Sequence, residues 1–175
     1  MVYARNSLDA SPSAQLNSVA SALVGDFQQE DIDFLFNQPY TVSVPSFNVI
    51  VVHAGLVPGV PLHSQRPIDM NTMRGVVLGS DGSYTGTPSK AVGPWAASWP
   101  GPQHVYFGHN ASRGLQRHPF ATGLDTGCVF GRELTGVMIN SPSQQPVLYS
   151  VPAKQVYAVS KVHPQKSCML EGKKH

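Results

Sequence analysis

The sequence predicts an α/β fold built on a sheet, with helix in the minority. Residues 49–52 form an unbroken β-branched run, Val-Ile-Val-Val, the pattern of a central strand buried on both faces. Short apolar stretches separated by turn residues recur after residue 104, whereas helical spacing is confined to two segments before residue 40. Sixteen glycines and fifteen prolines make up about 18% of the 175 residues, against a usual ~12%. Only 13% of residues are charged, so many turns are required and a helical bundle or coiled coil is excluded. At this length a single domain with a real core is expected.

Taken in order, residues 14–24 place Leu16, Val19, Leu23 and Val24 at helical spacing, with Ser11 or Ser13 as cap. A second helix begins at Gln28-Gln29-Glu30-Asp31, acidic in its first turn and capped by Asp26. Ile32, Phe34, Leu35 and Phe36 should form its buried side, and Pro39 stops it. Val42 and Val44 lead to the central strand, which ends in the Gly/Pro loop after His53. Residues 75–112 carry formal charge only at Asp81 and Lys90 and read as a long Gly/Pro-rich loop. Within it, Trp95 and Trp99 at i, i+4 argue for a packed lobe. Strands are expected at residues 104–109, 128–130, 134–139, 147–151 and 155–159, the later ones as an antiparallel meander with turns at Gly131-Arg132 and Ser141-Pro142-Ser143.

Several classes drop out. No run reaches the ~18 apolar residues of a membrane span, and the first residues lack the apolar region of a secretory signal, so a soluble chain is expected. Cys128 and Cys168 make no disulfide framework, which suits a reducing compartment, taken here as the cytoplasm. A thiol nucleophile at Cys128 lacks a phosphate-cradling loop, and Gly79-Ser80-Asp81-Gly82 lacks the spacing of a nucleophile elbow. The net charge of +2 is weighted late, at Lys154, Lys161, Lys166, Lys173 and Lys174, as a solvated end or an anion-facing tail. A basic stripe with interleaved aromatics, as nucleic-acid binding would need, is not visible.

Two histidines are placed alike. His53 and His109 each end an apolar run and enter a turn of small residues, where a side chain projects into the crevice at the carboxyl end of a sheet. They read either as satisfied strand-end histidines or as neutral metal ligands.

The string Asn48-Val-Ile-Val-Val-His53-Ala-Gly-Leu-Val-Pro-Gly59 resembles the fourth metal-ligand block of the calcineurin-like metallophosphoesterases. Val105-Tyr-Phe-Gly-His109-Asn-Ala-Ser-Arg-Gly-Leu-Gln116 is similar to that family's last block. Gly123-Leu-Asp-Thr-Gly-Cys128-Val-Phe-Gly-Arg-Glu-Leu-Thr135 resembles the segment that follows it in diadenosine tetraphosphatases and their eukaryotic relatives, as do Gln65-Arg66-Pro67, Met73-Arg74 and Gly93-Pro94-Trp95. The resemblance runs over roughly residues 29–139.

It implies a two-metal phosphoesterase of calcineurin-like fold, a two-sheet sandwich. Divalent ions (Mn, Zn, Fe or Mg) would activate water against a phosphoester or phosphoanhydride. The implied substrates are phosphorylated or polyphosphate small molecules: dinucleoside polyphosphates, a nucleotide cap (the one nucleic-acid-like partner) or polyphosphate. By position His53 and His109 would ligate one ion, and Arg74, otherwise a solvent-facing loop arginine, would clamp phosphate oxygens, with Arg113 a weaker candidate of the same kind. Asn110 would stand next to that ligand where relatives often carry an acid, and Asp125 would be either a turn residue or a group orienting a ligand.

The Asp-x-His, Gly-Asp and Gly-Asn-His blocks of the family do not occur, since Gly25-Asp26 continues differently. Residues 29–160 are therefore expected to be the C-terminal half of such a domain, mainly its second mixed sheet. Residues 1–28 are unmatched and residues 161–175 form a basic tail. Such a half would be inactive alone, with a bare apolar sheet face suited to a partner chain. The alternative to a hydrolase is a non-catalytic module that binds phosphate or protein.

Overall fold

The computed structural model describes residues 2–4 and 27–158. It is a mixed α/β fold around a six-stranded mixed sheet in the order β1-β2-β3-β6-β8-β7. These strands are β1 (Val2–Ala4), β2 (Thr41–Val44), β3 (Val49–Val52), β6 (His104–Phe107), β7 (Gln116–His118) and β8 (Ala121–Gly123). Antiparallel pairs join β1 to β2, β2 to β3 and β7 to β8, while β3–β6 and β6–β8 run parallel. The hairpin β2–β3 turns through Pro45–Phe47 and Asn48, whose φ of 52° is tolerated by a short amide side chain.

The β-branched run does form a strand between two partners. Val49, Ile50 and Val52 are buried, but Val51 is 42% exposed, so burial on both faces is incomplete. Val51 lines an open groove of about 530 Å³ together with Leu35, Phe36, Tyr40 and His53. The groove's far wall is helix α1 (Gln29–Phe36), which corrects a second expectation: no residue of α1 is buried. Phe34, Leu35 and Phe36 are 65%, 54% and 71% exposed, and no layer covers them among the described residues.

The helix is held by its ends. The Gln28 amide donates to the Asp31 carboxylate at 3.0 Å, and the side-chain amides of Asn37 and Gln38 donate to the carbonyls of Asp33 and Phe34. Gln28 is the N-cap residue; Asp26 and the helix expected at residues 14–24 lie outside the described residues.

The long loop expected over residues 75–112 is more ordered than its composition suggests. It opens with a hairpin, β4 (Gly75–Leu78) and β5 (Tyr84–Thr87), paired Gly75↔Thr87 through Leu78↔Tyr84. At its tip the Asp81 carboxylate accepts the Ser83 amide and hydroxyl at 3.0 and 2.7 Å, and Gly82 supplies φ 79°. The Asp-Gly pair between two β-rich tetrads was the available signal.

The tryptophan lobe is packed as its spacing predicts. Trp95 is 1% exposed, lies 4.8 Å from Phe107 and 6.2 Å from Trp99 by ring centroids, and donates from Nε1 to the Ala54 carbonyl at 3.0 Å. Burying an indole of about 200 Å² contributes on the order of 5 kcal/mol. Around it lie Ile50, Leu56, Met73, Val105 and Phe107. Helix α2 (Pro67–Thr72) starts on a proline whose missing N–H costs nothing at that position, and it contributes Met70 to the core.

The late meander reduces to one hairpin. Strands β9 (Glu133–Met138) and β10 (Val147–Pro152) pair in full register, with the Ser141–Ser143 turn region between them. Cys128–Phe130 is a 3₁₀ turn instead of a strand, because Gly127 and Gly131 on either side adopt left-handed φ of 80° and 77°. Residues 155–158 form no strand. Tyr157 and Ala158 both donate to the Val129 carbonyl, so that segment closes on the 3₁₀ turn; Val159 lies outside the described residues. Among the described residues no helix is long and apolar enough to cross a membrane.

Gly55 is in contact with the lobe, since a Cβ there would stand 2.4 Å from Trp95 Nε1 and 2.6 Å from Cε2. Gly55→Ala should lower stability by about 2 kcal/mol through overpacking. The check is urea unfolding, which should show a lower midpoint with unchanged m-value.

Candidate metal centre

The in-register parallel pairing of β3 with β6, Val52 beside Phe107, delivers the chain ends of both strands to one edge of the sheet. His53 leaves β3 there, and Gly108-His109 leaves β6. The Gly108 amide donates to the His53 carbonyl at 2.8 Å, continuing the ladder by one rung. His109 then takes φ 66°, and the Asn110 amide closes back on the Gly108 carbonyl at 2.8 Å, a γ-turn of positive φ. Such a conformation costs a non-glycine residue about 1–3 kcal/mol and persists only where surroundings enforce it.

The result is that His53 Nε2 and His109 Nδ1 converge to 3.2 Å, with ring centroids 5.0 Å apart and planes at 64°. Two nitrogens each about 2.1 Å from one ion, at an angle of about 100°, would have this separation. The pair therefore fits two neighbouring positions of a single ion. A complete set is not present: no group of three His, Cys, Asp or Glu suited to a metal occurs among the described residues. The residues fit one ion in part and a second ion not at all.

Electrostatics around the pair are cationic. Burial holds His109 below the ordinary histidine range, the Arg74 guanidinium and His53 push the same way, and the Thr72 backbone and Asp125 oppose them. This favours the neutral imidazole, the form that donates a lone pair. Arg74 Nε is buried without a hydrogen-bond partner, and the buried side of the His109 ring has the Thr72 backbone beside it. Arg74 is further held by Nη1 on the Pro88 carbonyl at 3.3 Å.

The other sequence candidates divide. Asn110 is 5% exposed and accepts from the Ser112 hydroxyl at 2.7 Å, so its carboxamide stiffens the turn that carries His109. Asp125 accepts the Gly127 amide at 3.1 Å as a turn residue and also acts on His109 through space. Arg113 points elsewhere, with Nη2 on the Val92 carbonyl at 2.7 Å and its charge felt by His118. Arg132, not singled out from the sequence, donates to the Ala111 carbonyl two residues after His109. Nothing in its local sequence announces that contact, which depends on the hairpin β9–β10 folding back.

No family model matches the chain. It is 25% identical over 142 residues to the asymmetrical bis(5'-nucleosyl)-tetraphosphatase PrpE of Oceanobacillus iheyensis, covering 77% of this chain and 55% of that protein. The protein of the same name from Halalkalibacterium halodurans is 27% identical over 116 residues, covering 63% and 46%. A crystal structure whose protein is proposed to be a diadenosine tetraphosphatase superposes with a TM-score of 0.68 at 33% identity, covering 77% of this chain and 60% of that one. The chain thus spans about half the length of the curated relatives it matches.

Two outcomes follow from the site and its surroundings. Burial lowers the pKa of His104 and His109, and burial with Arg113 nearby lowers that of His118, from 6.5. The unfolded chain therefore takes up protons first as pH falls below about 6.5, and stability must drop through the window beneath that value. Urea midpoints should be lower at pH 5.5 than at 7.5, with a smaller difference in His104→Gln; a constant midpoint refutes the burial argument. The groove beside His53 should also bind an apolar dye to the native protein, and Phe36→Ser should cut the fluorescence at least by half. Equal fluorescence in the variant would put the dye elsewhere.

Proposed function

We propose that this chain, a member of the calcineurin-like, diadenosine-tetraphosphatase-like family over part of that family's length, carries the histidine half of a site for metal-dependent hydrolysis of dinucleoside polyphosphates. The observation that supports this is the 3.2 Å convergence of His53 Nε2 and His109 Nδ1 at the carboxyl edge of two parallel strands. In this reading residues 29–160 correspond to the second sheet of a two-sheet sandwich. The apolar groove at α1 and Val51 is then the face that a partner polypeptide covers.

A divalent ion held by the pair would lower the pKa of a bound water and draw charge from phosphate oxygens. The chain's own residues do the rest of the positioning. His109 is kept neutral and locked in its turn, so its lone pair stays aimed. Arg74 has a buried, unpartnered Nε ready to donate to a phosphate oxygen, and its fixed charge suits the polyanion. Arg113, bonded through Nη2 to the Val92 carbonyl, faces away from the pair and takes no phosphate role in this reading. The Asn110 carboxamide stiffens the His109 turn through Ser112, and the Asp125 charge acts on His109 through space.

A non-catalytic reading of the isolated chain is favoured by one observation, the lack of any third metal-ligating side chain beside the pair among the described residues. Catalytic sites of this kind usually keep about three protein ligands per ion. We therefore assign the chain as given to ion and phosphate binding without turnover.

Isothermal titration with manganese or cobalt should show weak binding of about one ion per chain, lost in the double variant His53→Ala, His109→Ala. Diadenosine tetraphosphate with the same metal should remain at background for both proteins. Absence of ion binding by the parent would overturn the ligand roles. Turnover by the parent, abolished in the double variant, would overturn the non-catalytic assignment and leave the ligand roles standing.

A further inference from the structure

We propose that Arg132 is a positioning residue for His109, bracing the strained turn from outside the histidine pair. The inference rests on the ligand role given to His109 above. The turn stores strain at φ 66°, so residues 108–114 must be tied to something rigid. On one side Arg113 Nη2 is bonded to the Val92 carbonyl at 2.7 Å. On the other, Arg132 Nη2 donates to the Ala111 carbonyl.

The root of Arg132 is itself fixed. Its amide donates to the Gly127 carbonyl at 3.2 Å, and its carbonyl accepts the Ala153 amide at 2.7 Å, just past β10. Between root and tip the guanidinium lies across Gly127: a Cβ there would stand 2.3 Å from both Nε and Nη2. Gly127 also has φ 80°. Glycine at 127 therefore serves twice, permitting the left-handed turn and leaving the floor over which the guanidinium reaches Ala111. The hairpin β9–β10, remote in sequence from both histidines, is coupled through this side chain to the turn that carries His109.

The test is made on the metal-free protein first, by two-dimensional NMR of the histidine ring nitrogens, and then by cobalt(II) titration. Arg132→Ala should move the His109 ring resonances and weaken cobalt binding about tenfold, the usual scale for groups that orient a ligand. Arg132→Lys, which can still donate to the carbonyl, should recover most of both. Gly127→Asn, tolerant of positive φ but filling the floor, should reproduce Arg132→Ala. Arg117→Ala, an exposed arginine of β7, should change neither.

Unmoved His109 resonances in Arg132→Ala overturn the proposal. If the parent binds no cobalt, the ligand reading falls and the metal-free resonances alone decide the role of Arg132. If Arg132→Ala does not fold, the Lys and Gly127→Asn variants decide it by the same resonances.

Discussion

The parallel pairing of β3 with β6 is the constraint on which the rest depends. Only 4 residues of each strand pair, yet they fix the rung at which each chain leaves the sheet. A slip of one residue would exchange the faces of every side chain and carry His109 away from His53. The crossover between these strands contains α2, the hairpin β4–β5 and the tryptophan lobe, and its packing prevents the slip. Trp95 touches Phe107 at the end of β6 and bonds Ala54 just after β3. One buried indole thus holds both chains at the edge where the histidines emerge.

The segment after His53 is rigid for a second reason. Gln65, 1% exposed, accepts the Val57 amide at 2.8 Å and donates to the carbonyls of Val57 and Val60 at 2.9 Å. A buried amide with these bonds acts as a fixed cross-strut, since breaking one leaves a desolvated group costing about 1–3 kcal/mol. The Ala54 amide is tied to the Met70 carbonyl at 2.8 Å, which brings α2 against the same edge. Arg74 follows α2 by two residues, and this is how a guanidinium distant in sequence comes to act on His109. With two imidazoles and one arginine, and no carboxylate bound to any of them among the described residues, the local charge suits an anion better than a lone cation.

Legibility in the sequence followed the range of the interactions involved. β3 and β6 were readable because consecutive β-branched and aromatic residues have few other uses, and His53 and His109 were readable as the residues that end them. Their distance was not readable, because it is set by register between strands separated by the whole crossover. The apolar side of α1 was misread: periodicity reports that a face is apolar, while its burial requires a partner that no local pattern reveals. Cys128–Phe130 looks like a strand by composition, but the flanking glycines at positive φ curl it into a turn. The Arg132 contact was invisible for the same reason as the histidine distance, since it spans 21 positions and needs β9–β10 to be folded first.

These features also grade the stability of the molecule across the site. The edge carrying His109 is backed by Val105, Phe107 and Ala121, all nearly inaccessible, so it opens only when the core opens. On the other side, α1 has eight residues, none buried, and an isolated helix of that length is marginal in water. His53 sits on the boundary, its backbone in the rigid ladder and its side chain lining the groove that α1 walls. Whatever covers the groove would order α1 and restrict the His53 ring with it, while His109 is already held. The two halves of the histidine pair therefore differ in preorganisation: His109 is held in its turn against the core, while the His53 ring, touching His109, also lines the open groove.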